Sequence, residues 1–173
     1  MAELSLVYIP DERLKQVAQE VATVDDEIRQ NLDDMMDTMY KYHGIGLAGN
    51  QVGILKRIIV VDCPINEDDE ESESAVYKMV NPKITWKSDE KSVREEGCLS
   101  IPTGKGDVER PSEITVKYLD ENGKPQELTT GGLLATCIQH EVDHIDGILY
   151  TDYLSKLKRD MIAKKVQKYL KGL

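Results

Sequence analysis

The stretch Gly131-Gly132-Leu133-Leu134-Ala135-Thr136-Cys137-Ile138-Gln139-His140-Glu141-Val142-Asp143-His144-Ile145-Asp146 decides the reading of this chain. Within it, His140-Glu141-Val142-Asp143-His144 has the form H-E-x-x-H. On a helix, residues four apart stack on one face, so both imidazoles can reach one metal ion with Glu141 beside its open position. Leu133, Cys137, His140 and His144 share that face, and leucine and cysteine beside two histidines turn it inward. The spacing predicts a central helix over 131–146. Two satisfied core histidines are the bland alternative, and the paired spacing weighs against it. Two imidazoles do not hold a metal alone, so a third ligand must come from elsewhere.

Upstream, Glu96-Gly97-Cys98-Leu99-Ser100-Ile101-Pro102 lacks a strong helix or strand period. A thiolate from such a loop or strand edge suits iron(II), zinc, nickel or cobalt. Cys98 alone would read as a small buried hydrophobe. Cys137 competes for the role, but one turn before His140 its sulfur lies beside the site. Further upstream, Gly44-Ile45-Gly46-Leu47-Ala48-Gly49-Asn50-Gln51-Val52-Gly53 is too glycine-rich for a helix or a good strand interior. It reads as a connector, or as backbone brought close to a ligand.

Around these segments the chain alternates helix and strand signals. Pro10-Asp11 starts a predicted helix over 11–22 carrying Leu14, Val17 and Val21. A second helix, 25–42, carries the stripe Ile28, Leu32, Met35, Met36 and Met39, read as core, and Gly44 ends it. His43 sits at its C-terminus, where a dipole contact outweighs a metal role. Strands are expected at 57–62, at 75–80 and 83–86 around Asn81-Pro82, and at 114–119 before an Asn122-Gly123 turn. Residues 66–74 are acidic and small and read as a solvent loop; no calcium-loop glycine is present. An amphipathic helix, 155–170, closes the chain with Leu157, Met161, Ile162, Val166, Tyr169 and Leu170. Strands in the middle and helices at the ends predict an α+β fold, with antiparallel or mixed strands packed around the H-E-x-x-H helix.

The 173 residues fit one domain, 1–173, with no internal linker or repeat. With 32 acidic against 22 basic residues, the net charge of −10 argues against general nucleic-acid binding, and no specific DNA contact is expected. A local basic end remains: Lys156, Lys158, Arg159, Lys164, Lys165, Lys168 and Lys171 form a solvated helix face or a docking surface for an anionic partner. No apolar run approaches the ~18 residues of a membrane span, and no signal-peptide pattern is seen. Three cysteines, Cys63, Cys98 and Cys137, make a poor disulfide framework. A cytoplasmic setting is expected, and an organelle or a virus-infected cell is compatible with it.

Three segments together resemble the peptide deformylase family, in its bacterial form. Gly44-Ile45-Gly46-Leu47-Ala48-Gly49-Asn50-Gln51 is similar to a G-φ-G-φ-A-A-x-Q motif, Glu96-Gly97-Cys98-Leu99-Ser100 to E-G-C-L-S, and Gln139-His140-Glu141-Val142-Asp143-His144 to Q-H-E-x-D-H. Order and separation agree, and the similarity runs through nearly the whole chain. Gly49 departs from the usual second alanine, which would loosen the placement of Gln51.

The resemblance implies a hydrolase that removes the N-formyl group from the initiator methionine of nascent polypeptides and releases formate. It implies one divalent metal held by Cys98, His140 and His144. Iron(II) is the usual ion, with zinc, nickel or cobalt as substitutes, and the thiolate–iron pairing is oxygen-sensitive. Glu141 would be the general base and acid, with Gln51 and the Leu99 backbone N–H as the oxyanion donors. Gly44, Ile45 and Gly46 would meet the peptide backbone, Gly46 like an added strand. Leu133, Thr136, Cys137 and His140 would line the methionine slot. Glu96 and Arg110 match a family ion pair behind the cysteine, and Asp143 would orient a histidine or an arginine. The implied partners are N-formylmethionyl peptides and, through the basic C-terminal helix, the ribosome.

Two rival readings stay open on the residues. A zinc endopeptidase shares H-E-x-x-H but needs a downstream His or Glu ligand, and residues 145–173 hold no histidine. A non-catalytic peptide-binding module is kept alive by Gly49.

Overall fold

A computed structural model describes residues 3–173. The first helix, α1, runs Asp26–Lys41, and its start is capped by Asp25, whose carboxylate accepts from the Ile28 N–H at 3.0 Å. Seven strands follow: β1 Gly46–Ala48, β2 Ile58–Pro64, β3 Ser74–Lys87, β4 Lys91–Cys98, β5 Ile101–Pro111, β6 Glu113–Leu119 and β7 Pro125–Gly131. The helix α2, Gly132–Ile145, carries H-E-x-x-H, and α3, Lys156–Lys171, closes the chain. Five strands form one antiparallel sheet in the order β1-β2-β3-β6-β7, while β4 and β5 form a separate hairpin. The α+β expectation is met, with every pairing between these strands antiparallel.

The sheet is covered on both faces. Alternate residues of a strand point to opposite sides, so Ile59 and Val61 of β2 pack with Ile138, Val142 and Ile145 of α2. Ile58 and Val60 meet Leu32, Met35 and Met39 of α1 on the other side. That is why 58–61 is a continuous apolar run and all four residues are fully buried. The hairpin has its own small core, where Ile101 and Val108 pack with Ile162 and Val166 of α3.

Several expectations need correction. The predicted helix over 11–22 is only a short 3-10 turn, Glu12–Lys15. Beyond it the backbone bonds are made with distant segments. The Ala18 N–H donates to the Ile145 carbonyl at 2.8 Å, the Gln19 N–H to Leu55 at 2.9 Å, and the Val21 N–H to the Asn81 side chain at 2.8 Å. These tertiary bonds replace the helical ladder, and Val17, read as part of the apolar face, is 67% exposed. The strands expected on either side of Asn81-Pro82 are one strand, β3, with a register shift at that point. The left-handed residue after α1 is His43 (φ 59°), not Gly44. Strand β7 lies at the sheet edge and is mostly exposed, so it carried no apolar signal. On α3 only Ile162 and Val166 are buried, while Leu157 and Met161 face outward.

Strand β4 was not expected, and its end at Glu96-Gly97-Cys98 shows no strong period in sequence, yet its residues alternate strictly in burial. Ser92, Arg94, Glu96 and Cys98 turn inward and Lys91, Val93, Glu95 and Gly97 outward. The inward set is polar, so the period is invisible to hydropathy. Residues 66–73 form the turn between β2 and β3, anchored where Glu67 receives both Arg94 Nη1 bonds at 2.7 and 2.8 Å. Among the described residues no helix is long and apolar enough to cross a membrane.

Candidate metal centre and active site

Helix α2 is buried almost all round, with each residue of 135–142 withdrawn from solvent. Its helical period puts His140 directly below His144, with ring centroids 4.8 Å apart. Their Nε2 atoms face each other at 3.1 Å, and Cys98 Sγ lies 3.3 Å from His144 Nε2. All three donor atoms lie within 4.8 Å of one another, and these residues could hold one ion. Donors at about 2.0–2.3 Å around a tetrahedral ion are about 3.3–3.6 Å apart, so the two measured edges are close to what a bound ion would set. Two nitrogens and a sulfur converging on one point, with no shared protein partner between them, fit a thiophilic divalent metal.

The tautomer follows from the neighbours. Arg110 grips Glu96 with two bonds, Nε to Oε2 at 2.7 Å and Nη2 to Oε1 at 3.0 Å. A carboxylate so held is an acceptor, so His140 Nδ1 donates to Glu96 Oε1 at 2.8 Å. That leaves the Nε2 lone pair free for a metal. Burial by itself would raise the Glu96 carboxyl, but its bonds from His140 and Arg110 outweigh this and hold it below the ordinary value. Arg110 Nη1 continues to Asp143 Oδ2 at 2.8 Å, and the Tyr153 hydroxyl donates to the same oxygen at 2.7 Å. Burial and that bond push the Tyr153 hydroxyl up to about 12, so it remains a donor.

The two histidines diverge. Burial opposes charge on both. At His140 the Glu141 carboxylate, with Cys98 and Glu96, overcomes it and raises the imidazole well above its usual value. At His144 burial is reinforced by His140 and Arg110, and the ring is held far below.

Glu141 is 4% exposed, and burial pushes its carboxyl up to about 7. Its Oε1 is buried without a partner. A Cβ added to Gly46 would run into Glu141 Oε2 and lie 2.8 Å from Cys137 Sγ, so only glycine lets β1 approach the carboxylate this closely. Gly44 is likewise tight, with Leu99 Cδ1 at 2.8 Å from any added Cβ.

The three sequence segments meet at a cavity of about 570 Å³. Gly44, Ile45, Gly46, Leu133, Thr136, Cys137, Cys98, Leu99, His140 and Glu141 all line it. His43 stands at the rim, exposed and away from the three donor atoms. Cys137 is tied to the residue just before β1, its Sγ donating to the Ile45 carbonyl at 3.6 Å.

Gln51 lines the same cavity and is 1% exposed. Its Oε1 accepts from the Ala48 N–H at 2.9 Å, and its Nε2 donates to Cys98 Sγ and Ser100 Oγ, each at 3.2 Å. Gly49 accompanies a tightly held Gln51, against the looser placement expected. A Cβ at Gly49 would collide with the Ile54 carbonyl and lie 2.9 Å from that of Lys56, so glycine fits this backbone.

Residues not singled out from sequence join the site. Ser100 shares the Gln51 amide, the Tyr150 ring stacks on His140 at 6.0 Å, and Tyr153 extends the Asp143 network. No local spacing marks the two tyrosines, because they come from a short 3-10 turn, Tyr150–Tyr153, beyond the helix.

Comparison with known proteins agrees with this geometry. The family model described as polypeptide deformylase matches residues 3–160. A peptide deformylase of Rhizobium meliloti is 49% identical over 166 residues, covering 96% of this chain and 93% of that protein. The crystal structure of peptide deformylase from Ehrlichia chaffeensis superposes with a TM-score of 0.93 at 44% identity, over 99% of this chain and 98% of that one. A class I type b peptide deformylase from Acinetobacter baumannii, solved with Met-Ala-Ser bound, matches with a TM-score of 0.82 at 36% identity, over 88% and 99% of the two chains. Fold, site and similarity coincide over nearly the full length, and the chain belongs to the polypeptide deformylase family.

Proposed function

We propose that residues 1–173 act as one catalytic domain that hydrolyses the N-formyl amide of formyl-methionyl peptides, leaving a free amine and formate. The observation that carries this is the convergence of Cys98, His140 and His144 beside a buried Glu141, at a cavity that Cys98, His140 and Glu141 help to line. A divalent ion on these three residues would supply a water of lowered pKa and polarise the formyl carbonyl. The family resemblance favours iron(II), with zinc, nickel or cobalt able to replace it.

The protein's own groups do the rest. Glu141, with its carboxyl near 7, is matched to take a proton from the attacking water and hand it to the departing amine. Gln51 Nε2 and the Leu99 backbone N–H are the donors for the oxygen that gains charge. Both Gln51 amide hydrogens are engaged on Cys98 and Ser100, so serving the substrate means exchanging one of those bonds. Gly44, Ile45 and Gly46 give the peptide backbone an edge to pair with, and Leu133, Thr136 and Cys137 take the methionine side chain. The Met-Ala-Ser complex of the relative fits a peptide left after such a cut.

The working place is the cytoplasm, beside the translating ribosome, with the basic residues of α3 facing ribosomal RNA. Lys-to-Glu changes there that leave ribosome affinity intact would sink this contact. The central test is formate release from formyl-Met-Ala-Ser by protein purified without oxygen. Turnover lost in Glu141→Ala with the metal retained supports the proposal, and a metal-loaded parent without turnover overturns it.

A further inference from the structure

The contacts behind His140 do not stop at Asp143. Asp143 Oδ2 receives Arg110 Nη1 at 2.8 Å and the Tyr153 hydroxyl at 2.7 Å. The Arg110 guanidinium also lies over the Tyr153 ring, 5.0 Å from its centroid. One side chain thus touches both a carboxylate of α2 and the arginine of β5. Asp143 and Arg110 are otherwise joined by a single N–H bond. A carboxylate with one donor turns freely about its last torsion, and a second donor on the same oxygen fixes it. Arg110 in turn presents the fork that holds Glu96, and Glu96 accepts from His140 Nδ1 at 2.8 Å.

We propose that Tyr153 is a positioning residue for the metal centre. Its hydroxyl fixes Asp143, its ring seats Arg110, and together they hold Glu96 against His140 Nδ1 so that Nε2 stays aimed at the metal. The inference rests on the metal-centre reading above. Outer partners of metal-bound histidines commonly change metal affinity by about 10–100-fold when removed. Tyr153 is one link further out and 50% exposed, so water partly replaces its hydroxyl and the effect falls below that range.

The test is the rate at which cobalt-loaded protein loses its metal to excess chelator, followed by absorbance. The variants are Tyr153→Phe, which keeps the ring, Tyr153→Ala, Asp143→Asn, and the double variant Tyr153→Phe/Asp143→Asn. Tyr153→Phe should release cobalt about 3–10-fold faster than the parent, and Tyr153→Ala at least as fast. The melting temperature of the metal-free Tyr153→Phe protein should stay near the parent's. The double variant should release metal no faster than Asp143→Asn alone, because both act through one carboxylate. A Tyr153→Phe rate equal to the parent's overturns the proposal. So does strict additivity in the double variant, or faster release matched by general destabilisation. A parent that retains no cobalt overturns the metal-centre reading itself, and this inference with it.

Discussion

The two walls of the candidate metal site are built on opposite plans. Helix α2 supplies two nitrogens and the Glu141 carboxylate from one turn, and its other faces are locked into the sheet by Ile138, Val142 and Ile145. The β4–β5 hairpin supplies a single sulfur, and beside its small apolar core with α3 the part behind Cys98 is held by a buried ion pair between Glu96 and Arg110. The helix wall is positioned by local period and hydrophobic burial. The hairpin wall is positioned by strand register and charge. A metal site thus joins a part that is rigid on its own to a part whose geometry depends on a polar network.

The largest effect should come from removing the hairpin's only donor. Cys98→Ala is expected to abolish metal retention and with it turnover, although the helix pair is intact. Metal content after gel filtration checks this, and a variant that keeps a full equivalent would make the helix wall self-sufficient.

Next, Arg110→Ala and Ile138→Ala set the two plans against each other. Stranding the buried Glu96 should lower stability by about 3–5 kcal/mol, and opening a cavity behind α2 by about 2–5 kcal/mol. Denaturant melts of metal-free protein read both. Only Arg110→Ala should also speed metal release, and equal release from the two variants would erase the contrast.

Gln51→Ala should lower kcat with a cost of about 3–4 kcal/mol if its amide serves the oxyanion. Steady-state rates on formyl-Met-Ala-Ser test it, and a change confined to KM would reassign Gln51 to binding.

The smallest effect concerns pH. The folded state holds the Glu96 carboxyl below its ordinary 4.5, so its contribution is full above that value and is lost as pH falls through the lowered one. Metal-free parent should lose stability toward acid more steeply than Glu96→Gln, and parallel acid profiles would remove Glu96 from the account.

The same contrast explains what could be read in the sequence. Helices α1 and α2 carry apolar residues at the period of their own backbone and strand β2 carries a short unbroken apolar run, and each was legible. Glu141 and both histidines were legible because their spacing is local. Strand β4 was not, because the residues that alternate inward are Ser92, Arg94, Glu96 and Cys98. Cys98 could be proposed from chemistry and from resemblance, but its strand could not be seen. The 11–22 segment misled in the other direction. Leu14 and Val21 have helical spacing, yet beyond the short turn at Leu14 the backbone of Ala18, Gln19 and Val21 is bonded to Ile145, Leu55 and Asn81. Tyr153 and Tyr150 reach the site only after the chain has turned back past α2, which no local pattern records.

The near-complete burial of 135–142 has a kinetic side. Amide hydrogens there have no shallow opening through which to meet solvent deuterium, so they should exchange only when the whole molecule unfolds. The outward edge of β4 lacks that protection. The helix that supplies two of the three donors would thus keep its shape through the small openings that reach the hairpin.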